Sequence, residues 1–168
     1  MRVRQGRGFD LVGVTNRRLA AAGKDGGEMT VTFPKAGYIY EVGKGFVARG
    51  EAAKFKLAPP FRLFASFAAE QKPPPLRLSA TTASPGAALN LDLSGFAPGQ
   101  VLLLQVRDPQ GRLVWKRSEA VTHEVFEVNP REKTRPIHFA YTAPAGKYTV
   151  TLTDVATGLS SKANVELR

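Results

Sequence analysis

The 168-residue chain contains no cysteine, two histidines, two methionines and a single tryptophan. Without cysteine there is no disulfide framework and no thiolate metal site, although this alone does not fix the compartment. A metal site needs three or four ligands; His123, Glu124 and Glu127 make at most a loose cluster and read as a solvated strand edge. No run of 18 uncharged apolar residues is present, so no transmembrane helix and no membrane insertion are expected. The opening stretch, Met1-Arg-Val-Arg-Gln-Gly-Arg-Gly8, is basic but leads into no apolar segment, and does not read as a signal peptide.

Acid is also scarce. Lys and Arg number 24 against 14 Asp and Glu, a formal charge of +10. Residues 1–74 carry 13 basic against 6 acidic side chains, residues 75–168 carry 11 against 8, so the excess lies mainly in the first half. A basic balance favours an anionic partner in general. Here the cations are scattered, with only short pairs such as Arg17-Arg18 and Lys116-Arg117, and no dense run. That pattern predicts a solvated basic surface and no specific nucleic-acid partner.

What the sequence has in quantity is alternation. Val101 to Trp115 and Ala145 to Leu159 each run as alternating apolar and polar residues, turn through Asp-x-x-Gly or a related sequence, and resume. These are β-hairpins. The Asp108-Pro-Gln-Gly111 turn has Asp first, Pro second and Gly fourth, the type I preference. Lys72-Pro-Pro-Pro75 cannot continue a helix or a central strand. The expected organisation is therefore all-β: a module at 1–71, a Pro-rich linker at 72–75, and a module at 76–168, each a small antiparallel β-sandwich.

In the first module, strands are expected at Phe9–Thr15, Glu28–Phe33, Gly37–Val42, Phe46–Arg49, Ala53–Leu57 and Phe61–Phe67, with a long loop at Arg17–Gly27. In the second, they are expected at Leu76–Ala80, Ala87–Leu93, Val101–Arg107, Arg112–Lys116, Val121–Val128, Pro136–Tyr141, Tyr148–Asp154 and Ser161–Leu167. Their count and spacing fit an immunoglobulin-like sandwich. Pro144-Ala-Gly-Lys-Tyr148-Thr-Val150 matches a tyrosine corner, a phenol bonded to backbone a few residues upstream.

Two stretches carry a resemblance. Ala143-Pro-Ala-Gly-Lys-Tyr-Thr-Val-Thr-Leu-Thr-Asp-Val-Ala-Thr-Gly-Leu-Ser160 resembles the last hairpin of a bacterial immunoglobulin-like module, and Leu104-Gln-Val-Arg-Asp-Pro-Gln-Gly-Arg-Leu-Val114 resembles its central hairpin. Such modules end bacterial glycoside-hydrolase-like proteins and are similar to domains of bacterial α2-macroglobulin-type chains. Gly37-Tyr-Ile-Tyr-Glu-Val-Gly-Lys-Gly-Phe-Val47 and Lys54-Phe-Lys-Leu-Ala-Pro-Pro-Phe-Arg-Leu-Phe-Ala65 resemble the small β-domain that follows a (β/α)₈ barrel in such hydrolases. The resemblance implies an accessory position beside a preceding catalytic domain, carbohydrate as a partner, and an extracellular or periplasmic location. It carries no catalytic residue over to this chain.

Candidate chemistry is thin. Glycoside hydrolysis needs two carboxyl groups about 5 to 10 Å apart across a cleft, and Asp108, Asp154 and Glu166 fall in turns or on polar strand faces. Gly6-Arg-Gly8 and Gly43-Lys-Gly45 lack the length and following helix of a phosphate loop and read as turns. No cofactor motif is present and no cofactor is expected. The candidate contact residues for a glycan or other partner are Tyr38, Tyr40, Trp115, Lys116 and Arg117. The first-module aromatics fall mostly at period-2 positions and read first as core, but Tyr38 and Tyr40 share a strand face from which their hydroxyls can reach solvent. Trp115, beside two cations, reads first as core or rim packing and second as a cation platform. The expected function is a non-catalytic accessory or structural region of a larger bacterial protein, one the opening on a strand-like segment suggests was longer. The alternative is an independent binding module for an anionic partner: acidic polysaccharide, cell envelope or nucleic acid.

Overall fold

In the computed structural model, residues 2–5, 8–15, 27–56, 61–114 and 123–168 are described. Every regular element among them is a β-strand. The chain groups into two compact units, residues 1–72 with 155–159, and residues 73–154 with 160–168.

The first unit is one antiparallel sheet. Its strands are β1 (Arg2–Gln5), β2 (Phe9–Thr15), β3 (Glu28–Glu41), β4 (Gly45–Lys56) and β5 (Phe61–Phe67), ordered β1-β2-β5-β3-β4. Four of the expected strands fuse in pairs here. Glu28–Phe33 and Gly37–Val42 become one β3, and Phe46–Arg49 and Ala53–Leu57 become one β4. Pro34 cannot donate to the ladder, and the register between β3 and β4 shifts between Thr32 and Gly37, so a bulge absorbs it and the strand continues. β1 is not among the strands expected from the sequence.

A straight β3 of 14 residues would span about 45 Å. β5 pairs with β3 only through Tyr38–Glu41, whereas Phe55 of β4 lies opposite Met29, near the other end. Yet the Phe55 ring sits 4.7 Å from that of Phe64 on β5. The β3–β4 ribbon therefore folds over its own sheet at the bulge, and one sheet supplies two layers. Val12, Val31, Phe33, Ile39, Ala53, Phe55 and Phe64 fill the space between. Arg62 fastens this fold. It forks onto Glu41 (Nη2–Oε2 2.7 Å, Nε–Oε1 2.6 Å) beside the ribbon's turn and donates from Nη1 to the Lys56 carbonyl at its open end (3.1 Å). Glu41 is only 7% exposed and also receives Lys44 (2.7 Å).

The second unit uses two sheets. β7 (Ala88–Asp92) and β10 (Thr134–His138) form the small one; β6 (Thr82–Ala83), β12 (Ser160–Leu167), β11 (Gly146–Asp154), β8 (Val101–Arg107) and β9 (His123–Glu127) form the large one in that order. All pairings are antiparallel except β6 with β12. Strict alternation buries Leu102, Leu104 and Val106 of β8 and Tyr148, Val150 and Leu152 of β11 against Leu89, Leu91, Ile137 and Phe139. The expected strand Leu76–Ala80 contributes one bridge, Leu78 to Leu91, and the chain then crosses to the other sheet as β6. The expected strand Arg112–Lys116 likewise shows one bridge, Leu113 to Arg107, before leaving the described residues.

The Asp108 turn closes as expected. Gly111 N–H donates to the Asp108 carbonyl (2.9 Å), and Gly111 adopts φ 78°, a conformation costly for residues with a Cβ. The Asp108 carboxylate accepts the Gln110 and Arg112 N–H groups and Arg112 Nε. Tyr148 opens β11 with its ring edge-on to Phe139 and its hydroxyl donating to the Pro144 carbonyl four residues upstream (2.9 Å). Burial, seconded by the Asp108 charge, pushes the Tyr148 phenol above its ordinary pKa.

Candidate functional site

Two surfaces concentrate chemistry. The first follows from parity on β3. Ile39 faces the core of the first unit, so Tyr38 and Tyr40 face the other way. There the rings of Tyr40, Phe46 and Phe67 meet edge to face at 5.6 Å, and Phe9 stacks on Phe67 at 5.0 Å. Only part of this cluster reaches solvent. Tyr40 is 1% exposed, and its hydroxyl accepts the Gln71 N–H (3.0 Å). Its burial fits the core reading, and it is not available as a solvent-facing contact residue. The segment after β5 returns across this face, and a backbone donor needing a partner took the phenol. Tyr38 is half-buried, with the guanidinium of its cross-strand partner Arg49 5.3 Å from its ring centroid. Phe46, beside it, is 56% exposed. Trp115, Lys116 and Arg117 lie outside the described residues.

The second surface was not anticipated. The outer face of the large sheet in the second unit carries an open groove of about 560 Å³. Alternation dictates its lining: where β8, β11 and β12 send Leu, Val and Tyr inward, the intervening residues point out. Thr149 is flanked by Arg107 and Asn164, and Thr151 by Gln105 and Lys162. Lys147 continues the line on β11, and the Asp108–Gly111 turn forms the end wall. Arg107 donates to the Gly111 carbonyl (2.7 Å), which holds the cation at that wall. The one carboxylate in the lining, Asp108, is engaged by Arg112. Burial pulls its pKa upward, but the Arg112 hydrogen bonds and charge outweigh that and leave it below the usual carboxylate range. The groove thus presents three cations amid neutral donors and acceptors, with Glu166 on β12 directly across from Lys147 at its margin.

A period-2 signal for this site exists in Gln105-x-Arg107, Thr149-x-Thr151 and Lys162-x-Asn164. Only the strand order β12-β11-β8 brings the three pairs into one surface.

The other candidate residues lie apart from both surfaces or at their margins. Asp154 is the last inward residue of β11 and accepts Gln100 Nε2 (2.6 Å). Glu166 lies cross-strand from Lys147. His138 is exposed, opposite to the buried Ile137 and Phe139. Gly43-Lys44-Gly45 turns β3 into β4, with Lys44 N–H donating to the Glu41 carbonyl (2.9 Å). Among the described residues no three His, Cys, Asp or Glu side chains gather as a metal site, and no helix is long and apolar enough to cross a membrane.

Comparison with protein-family models gives no match, and comparison with curated proteins gives none.

Proposed function

We propose that this chain is a non-catalytic accessory region of a larger, exported bacterial protein of glycoside-hydrolase type, with an immunoglobulin-like second unit. The observation that carries the reading is the strand connectivity of that unit. Its first segment bridges to β7 at Leu78 and then runs parallel to the last strand as β6. Strand β7 pairs with β10, while β12, β11, β8 and β9 make the opposite sheet. Read in immunoglobulin letters these are A and B with E on one side, and G, F, C and an added C-type strand on the other. The tyrosine corner at Tyr148 falls at the start of the F strand, where such domains carry it.

Modules of this kind hold, space or bind. The Asp108 and Asp154 carboxylates accept from Arg112 and Gln100 within the unit. Carbohydrate and a preceding catalytic domain are the partners this reading supplies. Its test is the reading frame around this stretch, which is expected to encode a catalytic barrel upstream. A frame without one, or chromogenic glycoside turnover by the purified chain that is lost on replacing one carboxylate, overturns it.

A second reading, an independent binding module for an anionic partner (acidic polysaccharide, cell envelope or nucleic acid), is favoured by one observation: the groove cations Arg107, Lys147 and Lys162 face a wall whose carboxylate is already paired.

A further inference from the structure

We propose that the outer groove of the second unit binds an acidic oligosaccharide, a chain bearing carboxylates and hydroxyls together. The inference rests on the anion-binding reading and names its ligand.

The argument begins with spacing. Adjacent strands lie about 5 Å apart and same-face residues along a strand about 7 Å apart. Arg107 and Lys162 stand on opposite neighbours of β11, one row apart, so their Cα atoms are separated by about 12 Å. Lys147 stands one row beyond Arg107 on β11 itself. Three cations therefore border a strip of sheet rather than converging on a point. That suits a linear ligand with repeated negative groups, and not a single phosphate.

Between the cations lie Thr149, Thr151, Gln105 and Asn164. Hydroxyl and amide side chains both donate and accept, whereas Lys and Arg only donate. A ligand lying along this strip meets cations that take only acceptors and neutral groups that take either role, Thr149 already donating to Asn164 Oδ1 (3.4 Å). Sugar carboxylates with adjacent hydroxyls meet both demands. Phosphodiester backbone supplies acceptors alone. Single-stranded nucleic acid draws much of its affinity from bases stacked on aromatic rings, and the lining residues include none. The same lack of a ring disfavours a neutral glucan, whose apolar faces want an aromatic platform. The strip is also preorganised: its side chains stand on three hydrogen-bonded strands, and Arg107 is tethered to Gly111.

The test is titration of the full chain with oligogalacturonate, cellohexaose and single-stranded DNA at equal, moderate salt, by calorimetry and by amide shift mapping. Oligogalacturonate is expected to bind, shifting the amides of Thr149, Thr151 and Asn164. K147Q/K162Q is expected to weaken it about tenfold or more, the effect of losing about 1.4 kcal/mol. Both lysines are exposed, so the melting temperature stays put. K54Q/K56Q, which removes two exposed lysines of the first unit, leaves affinity unchanged. Shift mapping in the unaltered protein keeps the test independent of whether any variant folds. Oligogalacturonate binding that ignores K147Q/K162Q, or maps elsewhere, overturns the site. DNA binding as tight as oligogalacturonate overturns the ligand class while leaving an anion-binding module. No binding of any anion overturns both.

Discussion

The two units bury cores by different means. The second places one sheet on another, and each inward residue meets a partner from the facing layer. Its alternation is unbroken along β8 and β11. The first has one sheet and must fold it on itself. The bend falls where Pro34 interrupts the β3–β4 ladder, and Arg62, paired with Glu41 near the turn and bonded to the Lys56 carbonyl at the open end, joins the folded ends. Apolar complementarity suffices where two sheets face each other. A sheet that bends exposes polar backbone at the bend and recruits charge to fix its geometry. On this view the second unit responds most to lost volume, and the first to lost polar pairing.

The largest expected effect probes volume in the second unit. Tyr148→Ala empties a fully buried aromatic site and is expected to cost about 3–5 kcal/mol in chemical denaturation. Tyr148→Phe keeps the ring and loses only the bond to Pro144, about 0.5–1.5 kcal/mol. Equal costs for the two would show that the hydroxyl, not the ring, dominates, and the contrast between units would fail.

Next comes polar pairing in the first unit. Arg62→Ala leaves Glu41 buried with Lys44 alone and frees the Lys56 carbonyl, at an expected cost of about 2–4 kcal/mol. Arg62→Met, which retains apolar contact with Phe55, is expected to recover under half of that. Full recovery by Met would make the fold-over an apolar event like that of the second unit.

A smaller effect tests the bend itself. A Cβ on Gly37 would lie 2.6 Å from both the Phe67 carbonyl oxygen and Ser66 Oγ. Gly37→Ala is expected to cost about 1–3 kcal/mol through backbone displacement, with hydrogen exchange quickening at Ile39 and Ser66. Protection left unchanged would show that the bend tolerates more room than the bulge suggests.

The smallest effect is one of pH. The Asp108 carboxyl is held low by its Arg112 bonds, net of burial that opposes them, and the Asp92 carboxyl by its Ser94 bonds. A depressed folded-state pKa contributes stability that is complete above the ordinary carboxylate range and lost as pH falls through the depressed one. Asp108→Asn is therefore expected to lower the melting temperature slightly at neutral pH, with the difference vanishing in acid. A difference that persists in acid would assign the effect to turn geometry instead of charge.

Much was legible in single segments. Phe9–Thr15, Phe61–Phe67 and Val101–Arg107 have the bounds their alternation indicates, because period 2 is a property of consecutive residues. Asp108-Pro-Gln-Gly111 and the Pro144–Tyr148 corner were also readable, since each is closed by bonds within five residues. The partner of the Tyr40 hydroxyl was not legible, because Gln71 lies 31 residues away.

Read alone, the chain shows that this is a β protein, which residues of β8 and β11 face inward, and where the Asp108 turn falls. These follow from backbone geometry and side-chain alternation over a few residues. Tertiary structure alone decided that β3 passes through Pro34 and folds over β5, that Arg62 bridges the two ends of one ribbon, and that β12, β11 and β8 lie side by side. Strand neighbours are chosen by the burial of whole faces, an energy summed over residues far apart in the chain. The cationic groove exists only once that choice is made, which is why none of its three polar pairs announced it alone.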